Sequence, residues 1–480
     1  MEQVAVWALG LHAALTLLVV VSVLRQRKEP MAMLAWIFAG VTLPLLGAGF
    51  YWLFSATRVR RKARRRRRRV AHILAGIKAR APALSPGSEG VLAPGLPPEL
   101  AAVERIGQRL SHMPATAGNA VRVYEEANAT YAALEEAIRG AQHHIHLQYY
   151  IWQPDETGRH FRDLVAEKAR QGVECRLLLD AVGCLRLTRR FTRPLTVAGC
   201  QVAFFMPLRP LRRRWSPHLR NHRKIAVIDG RTAFIGSQNI GDEYRGWRKR
   251  LSPWYDTHMR VDGPAALFLQ QIFAEDWLFA TREPLSSAVY FPQAACVGRS
   301  VVQILPTGPE EDFSSLAQVV FAAVATARAD IRIATPYFVP DPALRMALVH
   351  AGCRGVRVQV VVPTRSDAPV VLWAGRSFYP ELLEDGLEIY EFDGGVLHSK
   401  IVTVDDRWCM LGTANMDTRS FRLNFEVTAL VYDREVAQAL SASIERYRQR
   451  ARRIMPRDVW RRGLAAQLGQ GAARLLAPLL

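Results

Sequence analysis

Cysteine is scarce in this chain: six in 480 residues, at Cys175, Cys184, Cys200, Cys296, Cys353 and Cys409. No two stand closer than nine residues, so there is no C-x-x-C pair for a structural zinc or a dithiol couple. The body of the chain therefore reads as one that works reduced, in the cytosol, with no dependence on disulfides. Acidic residues are also few, 43 Asp and Glu against 64 Lys and Arg, for a net charge of +21. That balance excludes an acidic disordered tail, and the length excludes a small stapled scaffold and suits two or three domains. The shortage of acid is sharpest in residues 1–80, where Glu2 and Glu29 oppose 15 basic residues and +13 of the surplus is found. Nucleic acid is the ordinary partner of so basic a chain, so the position of the charge has to decide.

The first residues also lack polarity. Residues 4–24 are apolar apart from His12, Thr16 and Ser22, and residues 31–54 have Thr42 as their one clearly polar member. Each run meets the ~20 residues that cross about 30 Å of hydrocarbon as a helix. No Lys or Arg precedes the first run and a second follows at once, which is wrong for a cleaved signal peptide. Spans of about 4–24 and 31–54 thus predict a transmembrane helical hairpin over residues 1–57. Ten basic residues between Arg58 and Arg69, against three in the connection, put both chain ends in the cytoplasm. Cations directly after a span lie within reach of anionic headgroups, so this run reads as a topology and lipid feature, with no nucleic acid expected. Residues 81–98 hold five prolines and three glycines and read as a linker; Leu100, Val103, Ile106 and Leu110 mark a helix beyond it. At the far end, Leu464, Leu468, Leu475 and Leu476 interleave with Arg461, Arg462 and Arg474. They predict an amphipathic helix that docks on the body or lies on a membrane surface.

The remainder is duplicated. Ile145-His-Leu-Gln-Tyr-Tyr-Ile-Trp-Gln-Pro-Asp155 aligns with Ile331-Arg-Ile-Ala-Thr-Pro-Tyr-Phe-Val-Pro-Asp341, and the run from Gly172 aligns with the run from Gly355. Short β-branched runs alternate in both halves with helically spaced ones, which argues for α/β units with largely buried sheets. Two copies packed about a pseudo-twofold axis bring residues near that axis together as pairs.

The repeat carries chemistry. His222, Lys224, Asp229, Gly236, Ser237 and Asn239 recur with identical spacing as His398, Lys400, Asp405, Gly412, Thr413 and Asn415. On an extended strand each histidine shares a face with the lysine two residues on. Two such faces together present two imidazoles, two ammonium groups, two carboxamides and two hydroxyls, a set suited to a phosphodiester. The lysines and amides can stabilise the oxygens of five-coordinate phosphorus, one imidazole can attack it, and the other can protonate the departing alkoxide. Asp229 and Asp405 belong to the repeated set, although each ends a strand before a turn and a structural role fits them as well. His143, His144 and His146 could suggest a metal, but strand alternation puts at most His144 and His146 on one face, with no carboxylate or cysteine at ligand spacing. They read as core or surface histidines, and no metal or cofactor is expected.

The duplicated H-x-K-x4-D motif with its trailing Gly and Asn resembles the phospholipase D superfamily, with Thr413 keeping the hydroxyl that Ser237 supplies in the first copy. The chain further resembles bacterial cardiolipin synthases over nearly its whole length. The motifs are Met31-Ala-Met-Leu-Ala-Trp36, Leu43-Pro-Leu-Leu-Gly47, Gln148-Tyr-Tyr-Ile-Trp152, Arg220-Asn-His-Arg-Lys224, Asn239-Ile-Gly-Asp-Glu-Tyr244, Asp256-Thr-His-Met-Arg260, Ala334-Thr-Pro-Tyr-Phe338 and Arg419-Ser-Phe-Arg-Leu-Asn-Phe-Glu426. The resemblance implies a phosphatidyltransferase of the bacterial inner membrane, multi-pass, with cytoplasmic catalytic domains, acting on phosphatidylglycerol and other anionic phospholipids. It implies transfer between two phosphatidylglycerol molecules through a phosphohistidine on His222, with His398 as acid and then base. Lys224, Lys400, Asn239 and Asn415 would hold the phosphoryl oxygens with Ser237 and Thr413 nearby; Glu426 would orient His222, and Asp256 would orient His398. The expected architecture is α/β: two pseudo-twofold-related phospholipase D-type domains with mixed sheets flanked by helices, behind the hairpin. Residues 58–118 would form the basic segment, linker and helix, 119–300 the first domain, and 301–480 the second with its C-terminal helix. A hydrolase, a transferase using another alcohol, a nuclease and an inactive scaffold are the rival readings.

Overall fold

Runs such as Ile225–Ile228 and Glu426–Tyr432 have every residue buried, the pattern of strands covered on both faces by helices. The protein is seen here in a computed structural model that describes residues 2–25, 30–43, 45–54, 96–207, 219–248, 252–309 and 314–478. The basic run 58–69, the connection 26–29 and most of the linker at 81–98 lie outside the described residues.

The first apolar run forms one helix, Glu2–Leu24, and its segment Val6–Leu24 has a mean hydropathy of 2.2, long and apolar enough to cross a membrane. The second does not form the single span expected over 31–54. It is two helices, Pro30–Thr42 and Leu46–Phe54. Proline at 44 has no amide hydrogen for a continuing helix, and Leu45 takes φ +60°. At Gly47 a Cβ would lie 2.0 Å from the Ala39 carbonyl oxygen, so only glycine lets the chain fold back this tightly. The three helices pack around Val19, Val23, Ala48 and Tyr51. Thr16 donates to the Gly40 carbonyl at 2.9 Å, and Ser22 lies 2.7 Å from the Tyr51 hydroxyl. Trp7, Leu9 and Phe38 remain exposed, as residues facing lipid do.

The body is a mixed sheet of fifteen described strands. At its centre Thr116–Tyr124 and Ser300–Thr307 pair antiparallel. Outward from Thr116–Tyr124 follow His258–Asp262, Thr232–Gly236, Ile225–Ile228, His144–Tyr149, Glu174–Asp180 and Gln201–Phe205. Outward from Ser300–Thr307 follow Glu426–Tyr432, Trp408–Gly412, Ile401–Val404, Asp330–Ala334, Arg357–Pro363, Glu388–Phe392 and Ala451–Ile454. The two sequences of strands correspond position by position, with Ala451–Ile454 added at one edge. On each side the three strands beginning at His144–Tyr149 and at Asp330–Ala334 run parallel, and the strands nearer the centre are antiparallel.

Helices Ala127–Gly140 and Glu156–Arg170 cover one outer face, and Pro98–Ser111, Ser315–Thr326 and Pro342–Cys353 cover the other half's. Across the sheet, Pro264–Thr281 and Arg434–Gln449 lie over a core that contains strand residues of both halves, among them Ile225, Val261, Ile401 and Val427. Pro264–Thr281 is apolar around most of its circumference and accordingly buried. His144 and His146 sit inside this body: His146 stacks on Phe273 with centroids 4.5 Å apart and bonds Gln270 at 3.0 Å. They are core histidines.

Candidate active site

Each H-x-K segment is extended and is hydrogen-bonded to the opposite half of the chain. The His222 amide donates to the Phe425 carbonyl at 2.9 Å, and the Phe425 amide donates to the Arg220 carbonyl at 2.9 Å. In the other copy the His398 amide donates to the Tyr255 carbonyl at 2.7 Å, and Val396–Leu397 pairs parallel with Trp254–Tyr255. Phe425 is followed by Glu426 and Tyr255 by Asp256. The register of these short pairings therefore delivers one carboxylate to each imidazole from the other half.

His222 Nδ1 lies 2.9 Å and 3.1 Å from the Glu426 carboxylate oxygens, and His398 Nδ1 lies 2.7 Å from Asp256 Oδ1. Burial alone would raise both acids, but the imidazole, its hydrogen bond and the nearby lysines hold each below its ordinary carboxylate value. An ionised carboxylate accepts, so Nδ1 of each ring carries the hydrogen and Nε2 keeps its lone pair. Burial pushes the His222 imidazole down to about 4 against the opposing pull of Glu426, and lowers His398 with help from Lys400. Both shifts favour the neutral ring at pH 7. Tyr150 lies edge-on to His222 at 4.8 Å, and Trp254 lies 5.1 Å from His398. The Trp254 indole also donates to Asp256 Oδ2 at 2.7 Å.

The lysines are arranged alike. Lys224 Nζ donates to the His222 carbonyl and Lys400 Nζ to the His398 carbonyl, both at 2.7 Å. Burial lowers both, Lys400 to about 8 and Lys224 well below its ordinary value with help from Lys400. Two buried lysines whose charged forms an anion would stabilise make a place for one. Asn239 Oδ1 accepts the Ile151 amide at 3.0 Å. Asn415 is buried, with its Oδ1 unpartnered among the described residues. The two asparagines follow the strands Thr232–Gly236 and Trp408–Gly412 by three residues.

Four members of the motif set lie away from the imidazoles: Asp229 and Asp405 in the strand-ending role the sequence allows them, and Ser237 and Thr413 behind the acids. Asp229 and Asp405 do not join the imidazoles, because a four-residue strand, about 13 Å long, separates each from its lysine. Asp229 accepts the amides of Gln142, His143 and His144 at 2.8–2.9 Å, and Asp405 those of Arg328, Ala329 and Asp330 at 2.7–2.9 Å. Both take φ +53°, a turn conformation that aspartate tolerates. They are anchors for strand entry. Ser237 and Thr413 are fully buried behind the acids instead of lining a phosphate site. Thr413 donates to Glu426 at 2.6 Å, and Ser237 exchanges hydrogen bonds with the Thr257 backbone at 3.0 Å.

Sequence reasoning misses Tyr150, Trp254, Asn424 and the cation behind the site. Asn424 donates to Glu426 at 3.1 Å. Trp254 had a signal, since residue i−2 on a strand shares a face with Asp256. Arg223 is buried between the halves, bonding Asp276 at 2.7 Å, the Glu426 carbonyl at 2.9 Å and the Thr307 carbonyl at 3.0 Å. Among the described residues no three His, Cys, Asp or Glu are grouped to hold a metal ion.

Residues 134–277 and 320–448 match the family model described as cardiolipin synthase, PLD-like domain, and residues 14–55 match one described as phospholipase D-nuclease N-terminal. The chain is 35 % identical over 457 residues to a cardiolipin synthase of Geobacillus kaustophilus, covering 95 % of this chain and 90 % of that one. It is 39 % identical over 378 residues to a cardiolipin synthase of another Geobacillus strain, covering 78 % and 75 %. The crystal structure of phosphatidylserine synthase from Haemophilus influenzae superposes with a TM-score of 0.58 at 18 % identity, over 79 % of this chain and 100 % of that one, a likeness of fold.

Proposed function

The chain belongs to the PLD-like cardiolipin synthase family, and from that footing we propose that it joins two phosphatidylglycerol molecules into cardiolipin and releases glycerol. It is a phosphatidyltransferase. The observation that carries the mechanism is the pair of crossed histidine–carboxylate bonds, His222 with Glu426 and His398 with Asp256, because two oriented imidazoles are what a two-step displacement at phosphorus needs.

In the first step the Nε2 lone pair of His222 forms a bond to phosphorus, the bond from phosphorus to the glycerol headgroup oxygen breaks, and that oxygen takes a proton from His398. His398 has to be protonated for this. The arriving phosphodiester partly neutralises Lys224 and Lys400, which relieves the lowering that Lys400 imposes on His398. In the second step a terminal hydroxyl of the second phosphatidylglycerol gives its proton to His398 while its oxygen attacks phosphorus, and the P–N bond breaks back to Nε2. Lys224, Lys400, Asn239 and Asn415 stabilise the charge on the equatorial oxygens. Glu426 and Asp256 fix the tautomers and balance each imidazolium as it forms.

We also read the matching strand orders as two pseudo-twofold-related domains, 119–300 and 301–480, meeting at this site. The N-terminal helices anchor the chain in a bacterial inner membrane as a multi-pass segment with the catalytic halves in the cytoplasm. The test of the mechanism is an alkaline quench of the purified chain during turnover of phosphatidylglycerol labelled at phosphorus, followed by peptide mapping. Label is expected on His222 and absent from the His222→Ala variant; label on His398 reverses the roles, and an unlabelled wild-type chain refutes the covalent step.

A further inference from the structure

The C-terminal helix Leu464–Leu475 packs with its leucines outward. At ~100° per residue, Leu464, Leu468 and Leu475 fall within about 40° of one another, and Gly469, Ala473 and Ala477 lie on the opposite side. The small side is the one that docks: Ala473 is buried, and a Cβ on Gly469 would come within 2.6 Å of the Trp373 ring. The three leucines are 70, 65 and 82 % exposed. A helix that only completed a water-soluble body would be turned the other way.

Its neighbours continue the surface. Trp373 and Val370, on the helix Pro369–Arg376 beneath it, are half exposed, and Trp460 is exposed just ahead of it. Arg457 and Arg461 are exposed on the segment leading into it. Arg474 bonds Glu381 and the Ser377 carbonyl, and Arg462 bonds the Arg376 carbonyl, so the orientation is fastened.

The surface is also continuous with the active site. Asn415 is followed by Met416–Asp417, which pairs with Phe338–Val339. A Cβ on Gly375 would lie 2.6 Å from the Phe338 carbonyl oxygen, so the helix Pro369–Arg376 sits directly on that strand. Asp367, just before this helix, bonds Tyr337 at 2.7 Å and bears electrostatically on His398 and Lys400.

We propose that the Leu464, Leu468 and Leu475 face, with Trp373, Trp460 and the neighbouring arginines, is a monotopic docking surface for an anionic bilayer, seating the active site against the phase that holds its lipid substrate. It rests on the reading that the substrate is a membrane phospholipid. Leucine and tryptophan enter the interface while arginine meets the headgroup phosphates, the arrangement of an interfacial helix. This attachment is separate from the N-terminal helices, and it orients the body where a tether alone would not.

The test uses the full chain in nanodiscs containing phosphatidylglycerol, and the variant Leu464→Gln, Leu468→Gln, Leu475→Gln. With long-chain phosphatidylglycerol in the disc, a loss of tenfold or more in kcat/KM is expected, carried by KM. With a short-chain, monomeric phosphatidylglycerol in detergent below bilayer-forming conditions, activity is expected within twofold of wild type. Equal loss on both substrates marks a folding defect in the body, and no loss on either removes the surface from lipid handling; both overturn the proposal. A nitroxide at Leu468→Cys, in a background with Cys296 and Cys353 replaced by Ser, supplies the second readout. It is expected to become accessible to oxygen and shielded from a water-soluble nickel relaxant in the disc. Dipolar coupling between labels on two chains, without that shielding, shows a second copy on this face and contradicts the bilayer assignment. Failure of the wild-type chain to turn over even the short-chain substrate counts against the proposed activity instead.

Discussion

An imidazole attacks phosphorus through a nitrogen that carries no proton, so its partner at the other nitrogen decides whether it is ready. His222 has Glu426 at 2.9 Å on Nδ1, backed in turn by Thr413 and Asn424. Glu426→Gln keeps the size and loses the charge that holds the tautomer and balances the imidazolium, so kcat should fall by ~10²–10⁴ with KM little changed, read by steady-state kinetics on phosphatidylglycerol. Two groups shape the alkaline side of the pH response. Lys400, at about 8, is charged below that pH and neutral above it, and a neutral amine stabilises developing phosphoryl charge poorly. The kcat/KM profile, which reports the free enzyme, should fall first as His398 loses the proton it has to donate, its pKa lying below the ordinary imidazole value, and steepen through a second apparent pKa near 8. Lys400→Arg stays charged throughout, so the steepening near 8 should vanish at a lower maximum rate while the first fall remains; an unchanged second step would assign it to another group.

At the scale of elements, the site depends on two short cross-half pairings, each joining the backbone beside a histidine to the residue before an acid. Arg223 fixes one of them by bonding the Glu426 and Thr307 carbonyls and pairing with Asp276. Arg223→Met leaves Asp276 buried without that cation and should cost about 3–5 kcal/mol of stability, seen as an earlier denaturation midpoint of the body; adding Asp276→Asn should recover part of it. Much of this level was legible in the sequence. The α/β alternation, the duplication and the H-x-K pairs are local periodicities, and local periodicity is what a sequence displays. What escaped was set by direction or by distance along the chain. Motif spacing shows that Asp229 and Asp405 end their strands, but not which amides they hold, because those lie 75 or more residues away. Ser237 and Thr413 face the acids, a choice of side made by the strands they meet. The second apolar run counts as one span by hydropathy, which registers no cost for the missing amide of Pro44 or the fold-back at Gly47. Arg223 sits between two motif residues, and its partners lie 53 or more residues away.

At the scale of the whole molecule, +13 of the net charge of +21 belongs to residues 1–80, and the other 400 residues share +8. The lipid substrate accounts for that distribution better than nucleic acid does. Lifting a diacyl lipid into water costs about 0.8 kcal/mol per methylene, so a phosphatidyltransferase of this family has to meet its substrate at the bilayer surface. The apolar N-terminal helices and the exposed leucine face place hydrophobic surface at both ends of the chain. The central claim is transfer from one phosphatidylglycerol to another through a two-histidine site, and it is tested most directly by product analysis. The purified full chain is incubated with phosphatidylglycerol labelled in its terminal glycerol, and lipid and water-soluble products are counted. Cardiolipin and free glycerol in equal amounts, both absent with His222→Ala, are the predicted result; phosphatidic acid as the dominant lipid product, or undiminished transfer by His222→Ala, would contradict it.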